Sequence, residues 1–204
     1  MNRAQRLSAA AGIFLALAPV PAAAHEAKSL ALGFVGGWLH PLSGPDHLLA
    51  MVAVGLWGAF LGRPLIWLLP VVFPTIMAVG GVLGMAQLPF PPVEVGIALS
   101  VIVLGLAIAT RWRAPVPLAV AIVALFGLFH GYAHGLELPS MANPVGFSLG
   151  FVMATGMLHI AGILIGLVRD RPGGETVLRA MGALIALAGA WFLCDAVQAV
   201  SLIA

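Results

Sequence analysis

The eight residues HPLSGPDH, His40 to His47, place two imidazoles and a carboxylate in a chain that is otherwise nearly free of charge. A second stretch, FHGYAHGLE from Phe129 to Glu137, carries His130, His134 and Glu137 at i, i+4 and i+7, which sets all three side chains on one helix face. Neutral imidazole nitrogens beside carboxylate oxygens form a mixed donor set suited to a borderline divalent cation such as Ni²⁺, Co²⁺ or Zn²⁺. A lone cysteine and few well-placed methionines disfavour a soft Cu(I) site, and Mg²⁺ prefers oxygen to imidazole. The candidate metal ligands are His40, Asp46, His47, His130, His134 and Glu137; no prosthetic group is expected.

Each of these residues also has a purely structural reading. Ser43-Gly-Pro-Asp46 has the S-x-x-D pattern of a capping box, with Pro45 near the first turn, so Asp46 is also a candidate helix cap. His130 and His134 also have a lesser reading as packing histidines bonded to carbonyls, with Glu137 completing the face in favour of the ligand reading. His159 reads either as a ligand or as a hydrogen-bonded structural residue, and Asp195 either as an outer partner of the site or as half of a polar pair. Glu94, beside PFPP, reads as solvated, and Met51 as core.

The elements that must position these groups are membrane helices. The chain is 62% hydrophobic and only 8% charged, with mean hydropathy +1.11, too apolar for a water-soluble domain of 204 residues. No alternating polarity suggests a β-barrel, and a net charge of +2 gives no footprint for nucleic acid. Residues 1–24 read as a cleavable signal peptide: Arg3 and Arg6, a short apolar run from Ala9 to Ala18, then prolines and Ala22-Ala23-Ala24 before His25. That run is far short of the roughly 20 residues a span needs. Residues 25–204 then form a single all-α, polytopic transmembrane domain.

Turn signals and charges divide it into six spans: Leu48 to Gly62, Leu65 to Gln87, Val93 to Thr110, Val116 to Leu136, Val145 to Val168 and Thr176 to Ile203. The apolar piece Ser29 to Leu39 is too short to cross alone and reads as a broken or re-entrant helix preceding the first span. Arg63, Arg111, Arg113, Arg169, Arg171 and Arg179 all fall in loops that an exported N-terminus would place inside, whereas LPFPPVE and LPSMANP carry no base. Trp67 and Trp112 read as anchors at that inner boundary. Counted at 1.5 Å per residue from the arginines, His47 lies about 24 Å up and the second motif roughly 25 to 36 Å up, so both motifs share the outer level. Gly127, Gly131 and Gly135 form a ridge that would let a partner helix bring its ligands to the histidines, and Gly80-xxx-Gly84, Gly146-xxx-Gly150 and Gly162-xxx-Gly166 are further close-packing signals. Three spans per half would make the second half inverted relative to the first.

HPLSGPDHLLAM, read as H-x5-D-H, together with FHGYAHGLE resembles the HupE/UreJ family of bacterial nickel permeases, and the leader, the His25-Glu26 start and the six spans extend the resemblance over the whole chain. The related nickel/cobalt permeases are usually marked by H-x4-D-H, one residue shorter. The resemblance implies uptake of Ni²⁺, with some relatives carrying Co²⁺, for hydrogenase or urease maturation. It implies a multi-pass protein of the bacterial inner membrane with a periplasmic mature N-terminus, whose partners are the metal ion and the bilayer; a homo-oligomer is left open. Without an ATP-binding motif the chain reads as a facilitator or secondary transporter. Two other classes remain: an intramembrane metal-dependent hydrolase with Glu137 as general base, and a metal-binding subunit of another transporter.

Overall fold

The computed structural model describes residues 21–138 and 143–201. Among these there are seven α-helices and no strand: α1 Pro21–Ser43, α2 Pro45–Leu61, α3 Leu65–Met85, α4 Val93–Ala109, α5 Val116–Glu137, α6 Pro144–Gly166 and α7 Gly174–Ser201, with a 3-10 turn Leu167–Asp170 between the last two. Residues 1–20 of the expected leader lie outside the described residues, and Pro21–Ala24 form the first turn of α1. Four helical stretches are long and apolar enough to cross a membrane: Leu65–Met85, Val116–Glu137, Pro144–Asp170 and Gly174–Ala199. A fifth is obtained when Ser29–Ser43 and Pro45–Leu61, bent by 82° at Gly44, are taken as one broken span. Helix α4, with 17 residues, is shorter.

The break before α2 follows from local chemistry. Proline at 45 disfavours helical backbone at Gly44, and Gly44 is extended (φ −91°, ψ 108°). Pro45 then opens α2 at a position where its missing N–H costs nothing. The capping box itself does not form: the Ser43 hydroxyl turns back to donate to the His40 carbonyl at 2.8 Å. Asp46 instead accepts the His47 backbone N–H at 2.8 Å, satisfying one of the free donors of the first turn.

Helix α2 is the centre of the bundle. Its residues from Met51 to Phe60 are buried on every face apart from Val52, including Met51 and Trp57 with no exposed surface, the pattern of a helix surrounded by others. Lipid offers helices no hydrophobic drive toward one another, so close van der Waals contact must hold the surrounding helices together. Glycine provides it. A Cβ on Gly131 or Gly135 of α5 would overlap the carbonyl oxygens of Met77 or Gly81 on α3, and one on Gly80 or Gly84 would overlap those of Leu128 or Tyr132 in return. Helix α6 seats Gly150 on the Phe34 carbonyl of α1 and Gly162 on the Val52 carbonyl of α2, so both halves of the broken element share one partner. Gly105 and Gly182 join α4 to α7 in the same manner.

The arginines gather at one end and close helix termini there. Arg169 Nη1 donates to the Phe60 carbonyl at 2.8 Å at the C-terminus of α2, and Arg179 Nε donates to the Ala109 carbonyl at 3.1 Å at the C-terminus of α4. Cations at these positions oppose the negative end of the helix dipole. Arg111 pairs with Glu175, and the Arg113 guanidinium lies 5.8 Å from the centre of the Phe60 ring. Trp112 stacks on Trp57 at 5.9 Å between ring centres.

Because the α3–α5 contact is backbone on backbone, even one methyl group should be intolerable at its centre. Gly131→Ala should lower thermal stability in detergent by about 3 kcal/mol or more, the upper end of overpacking costs, since a carbonyl cannot rotate aside as a side chain can. Gly156→Ala, where a Cβ meets nothing within 4 Å, should be neutral. Equal melting temperatures for the two variants would show that the interface gives way freely.

Candidate metal site

The bend at Gly44 turns the end of α1 and the start of α2 toward the C-terminal end of α5, and the two histidine motifs meet there. Ring centres of His40 and His134 are 4.9 Å apart, His47 and His134 4.8 Å, and His47 and His130 5.0 Å. Glu137 Oε2 lies 3.6 Å from His40 Nε2 and 3.6 Å from His134 Nδ1. Two ligands each about 2.1 Å from a tetrahedral ion stand about 3.4 Å apart, so these separations are close to those of a coordination shell. One donor atom from each of His40, His134 and Glu137 falls within 4.8 Å of the other two.

The hydrogen bonds set the tautomers. His130 Nδ1 is 2.9 Å from the Phe126 carbonyl, which only accepts, so Nδ1 carries the proton and Nε2 presents its lone pair. His47 Nδ1 is 2.9 Å from Asp46 Oδ1 and by the same reasoning donates to the carboxylate. The Nε2 atoms of His47 and His130 make no hydrogen bond, nor do the ring nitrogens of His134. Buried polar atoms without partners are rare because each costs roughly 1–3 kcal/mol, and an imidazole fixed through Nδ1 with a bare Nε2 is the arrangement of a metal ligand and its outer partner. Asp46 thus combines both of its sequence readings, with Oδ1 serving the first turn of α2 and His47 at once.

Exposure falls steadily through the cluster. Side chains are 49% exposed at Glu137, 32% at His40, 14% at His47 and 9% at His134, while His130 has no exposed surface. A cation entering at the Glu137 rim would therefore meet progressively drier donors. Phe147 and Phe151 of α6 wall the rim, with ring centres 5.4 Å from His40 and 4.3 Å from His134 respectively. Phe73 of α3 lies against His130 at 5.2 Å. No metal-ligand pattern in the sequence marks these phenylalanines, since aromatic residues in apolar helices are ordinary packing residues; only their shared level in the bundle reveals them.

The remaining polar residues separate into three places. Met51 belongs to the core. Glu94 is exposed, as read from the sequence, and lines with Asp46 and Asp195 a cavity of about 450 Å³ between α2, α4 and α7. Three carboxylates thus line one cavity, one of them bonded to His47, and clefts lined by one sign of charge raise the local concentration of counter-ions. His159 lies apart from the cluster, against Phe73 at 5.5 Å between ring centres. The glycine ridge of α5 does not act as expected from the sequence. It faces α3, which supplies no ligand, whereas the partners of His130 and His134 come from the α1–α2 bend. The ridge and the histidines occupy different faces of α5.

Comparison with known proteins places this arrangement in a family. No solved structure matches the chain. The curated Protein HupE of Rhizobium leguminosarum bv. viciae is 45% identical over 180 residues, covering 88% of this chain and 94% of that protein. The family model described as HupE / UreJ protein matches residues 13–192, a range that includes both histidine motifs and every helix that contributes to the site. The chain belongs to the HupE/UreJ family.

Proposed function

We propose that this multi-pass membrane protein is a permease that carries a divalent transition metal, Ni²⁺ foremost and Co²⁺ as the close alternative, from the periplasm to the cytoplasm for metalloenzyme maturation such as that of hydrogenase or urease. The observation that carries the proposal is the convergence of four imidazoles and two carboxylates at the end of the bundle opposite the arginines. His40, His47, His130, His134 and Glu137 are the ligands in this reading, and Asp46 acts on the ion through His47. Hydrated cation arrives at Glu137, exchanges water for imidazole, and moves toward His130 as exposure falls. HupE/UreJ proteins are a transporter family and not an enzyme family, which sets aside the hydrolase reading.

In the same proposal the chain crosses the inner membrane six times after removal of residues 1–24, with the bent α1–α2 element as the first crossing and α4 as the third. The arginine end is cytoplasmic and the histidine end periplasmic. Nickel accumulation in cells expressing this chain alone tests the function. Accumulation above that of cells lacking the chain is expected; metal binding by the purified protein without accumulation would instead identify a subunit of another transporter.

Two further outcomes follow from the site. Asp46→Asn retains a carbonyl oxygen that can accept the His47 backbone N–H but loses the charge that polarises the imidazole. Uptake should fall on the order of tenfold, as is typical for an outer partner of a ligand, while protein abundance in the membrane stays normal. Parallel loss of abundance and uptake would reduce Asp46 to a helix cap. The second concerns pH. Protons compete with the cation for imidazole lone pairs, and the ordinary imidazole pKa is about 6.5, so uptake at subsaturating nickel should decline as external pH drops below about 6.5. Excess nickel should restore it. Uptake that climbs steadily on acidification would point to proton-coupled import and rule out simple competition.

A further inference from the structure

Three buried polar atoms remain outside the cluster. His159 and Thr155 of α6 have no exposed surface, and neither ring nitrogen of His159 nor the Thr155 hydroxyl makes a hydrogen bond. They are four residues apart and so share a helix face one turn above one another. A third donor faces the same place from α3. Pro74 has no N–H to give to the carbonyl four residues earlier, so the Pro70 carbonyl lacks its helical partner. That carbonyl is directed at His159 without closing a hydrogen bond of ordinary geometry. An imidazole and a hydroxyl, both dry and unsatisfied, and a carbonyl deprived of its helical partner are collected between α3 and α6.

Phe73 relates this group to the outer cluster. Its ring lies 5.2 Å from His130 and 5.5 Å from His159, so a single aromatic ring touches both the innermost ligand of the cluster and the next imidazole. Counted at 1.5 Å per residue, His159 is about 15 Å above Arg169, against about 24 Å from His47 to Arg63, so it lies deeper on the way to the arginine end.

We propose that His159, Thr155 and the Pro70 carbonyl form an inner station, to which the cation passes around Phe73 after leaving His130. This inference rests on the reading of the chain as a cation permease. The donors suit a transient stop: one imidazole and two neutral oxygens can replace part of the hydration shell of a borderline dication, yet no carboxylate is present to hold its charge. Conduction demands binding strong enough for entry and weak enough for exit. The outer cluster, with Glu137 and Asp46, is the capturing site, and the inner station is the releasing one.

The test uses the full chain, purified and reconstituted into liposomes containing a metal-sensitive dye, with Ni²⁺ alone as the probe. External binding and influx are measured separately. His159→Leu and Thr155→Val, each close in size to the residue replaced, should bind external Ni²⁺ with the affinity of the unmodified protein, because the outer cluster is untouched. Influx should fall about tenfold or more for His159→Leu, no less than the loss usual for an outer partner of a metal ligand, and should fall measurably for Thr155→Val. Thr155→Ser, which keeps the hydroxyl, should retain influx. Influx at the unmodified rate in both donor-free variants would overturn the inner station and leave the permease reading standing. Loss of external binding together with influx would also overturn it, by showing a structural role such as holding a buried water. If His159→Leu fails to accumulate, Thr155→Val against Thr155→Ser decides by the same two measurements. Absence of influx in the unmodified protein would defeat the permease reading itself.

Discussion

The contact of glycine with the backbone of a neighbouring helix is the constraint on which the rest of this structure depends. Inside a bilayer, apolar side chains gain nothing by leaving lipid for protein, and helices hold together through dispersion and close fit. Here α5 lies on α3, α6 on both α1 and α2, and α4 on α7, each through glycines that bring a partner carbonyl to the distance a Cβ would occupy. These contacts fix the level and rotation of every helix that carries a donor. Gly55 and Gly162 register α2 on α6, and Gly131 and Gly135 register α5 on α3. With those two registers set, His47 and His130 face each other across the space between.

Within that frame, one break in the backbone makes the site. Had α1 continued straight into α2, His40 would lie almost two turns from His47 along one axis. The 82° bend at Gly44 instead lets His40 reach Glu137 and His134 while His47 reaches His130. The proline that follows Gly44 therefore contributes to ligand placement without carrying a ligand atom. The bend also exposes the first turn of α2, and Asp46 satisfies that turn with the same oxygen that orients His47. Helix capping and imidazole orientation are one interaction here, so neither reading of Asp46 excludes the other.

The two ends of the bundle use charge differently. At the arginine end, guanidinium groups close the C-termini of α2 and α4 through carbonyl hydrogen bonds, so these bases complete those helices. At the histidine end, charge is confined to the rim and to the carboxylate-lined cavity, and the donors become neutral and buried with depth. In the proposed permease, a dication moving along this sequence of groups exchanges strong electrostatic capture for neutral coordination, which weakens its hold as it approaches the interior.

Much of this was legible in the amino-acid sequence because it depends on periodicity and composition. Hydrophobic runs bounded by Pro, Gly and Arg mark helices α2 to α7 closely, since in a membrane every backbone group must bond within its own segment. Residues at i, i+4 and i+7 must share a face, and H-x5-D-H and FHGYAHGLE stand out as the two histidine motifs without any coordinates. What the sequence could not determine is which surfaces turn toward each other. The ridge of Gly127, Gly131 and Gly135 reads as the means of bringing ligands to His130 and His134, yet it packs on α3, because a glycine ridge fits any close backbone and carries no information about which helix supplies it. The tautomers of His47 and His130, the aromatic walls of Phe147 and Phe151, and the neighbourhood of Phe73 with His159 all join residues far apart in the chain. Spacing along one helix determined the donors and their faces; only the packing of several helices decided which donors share a space, because that depends on contacts among surfaces that no local pattern encodes.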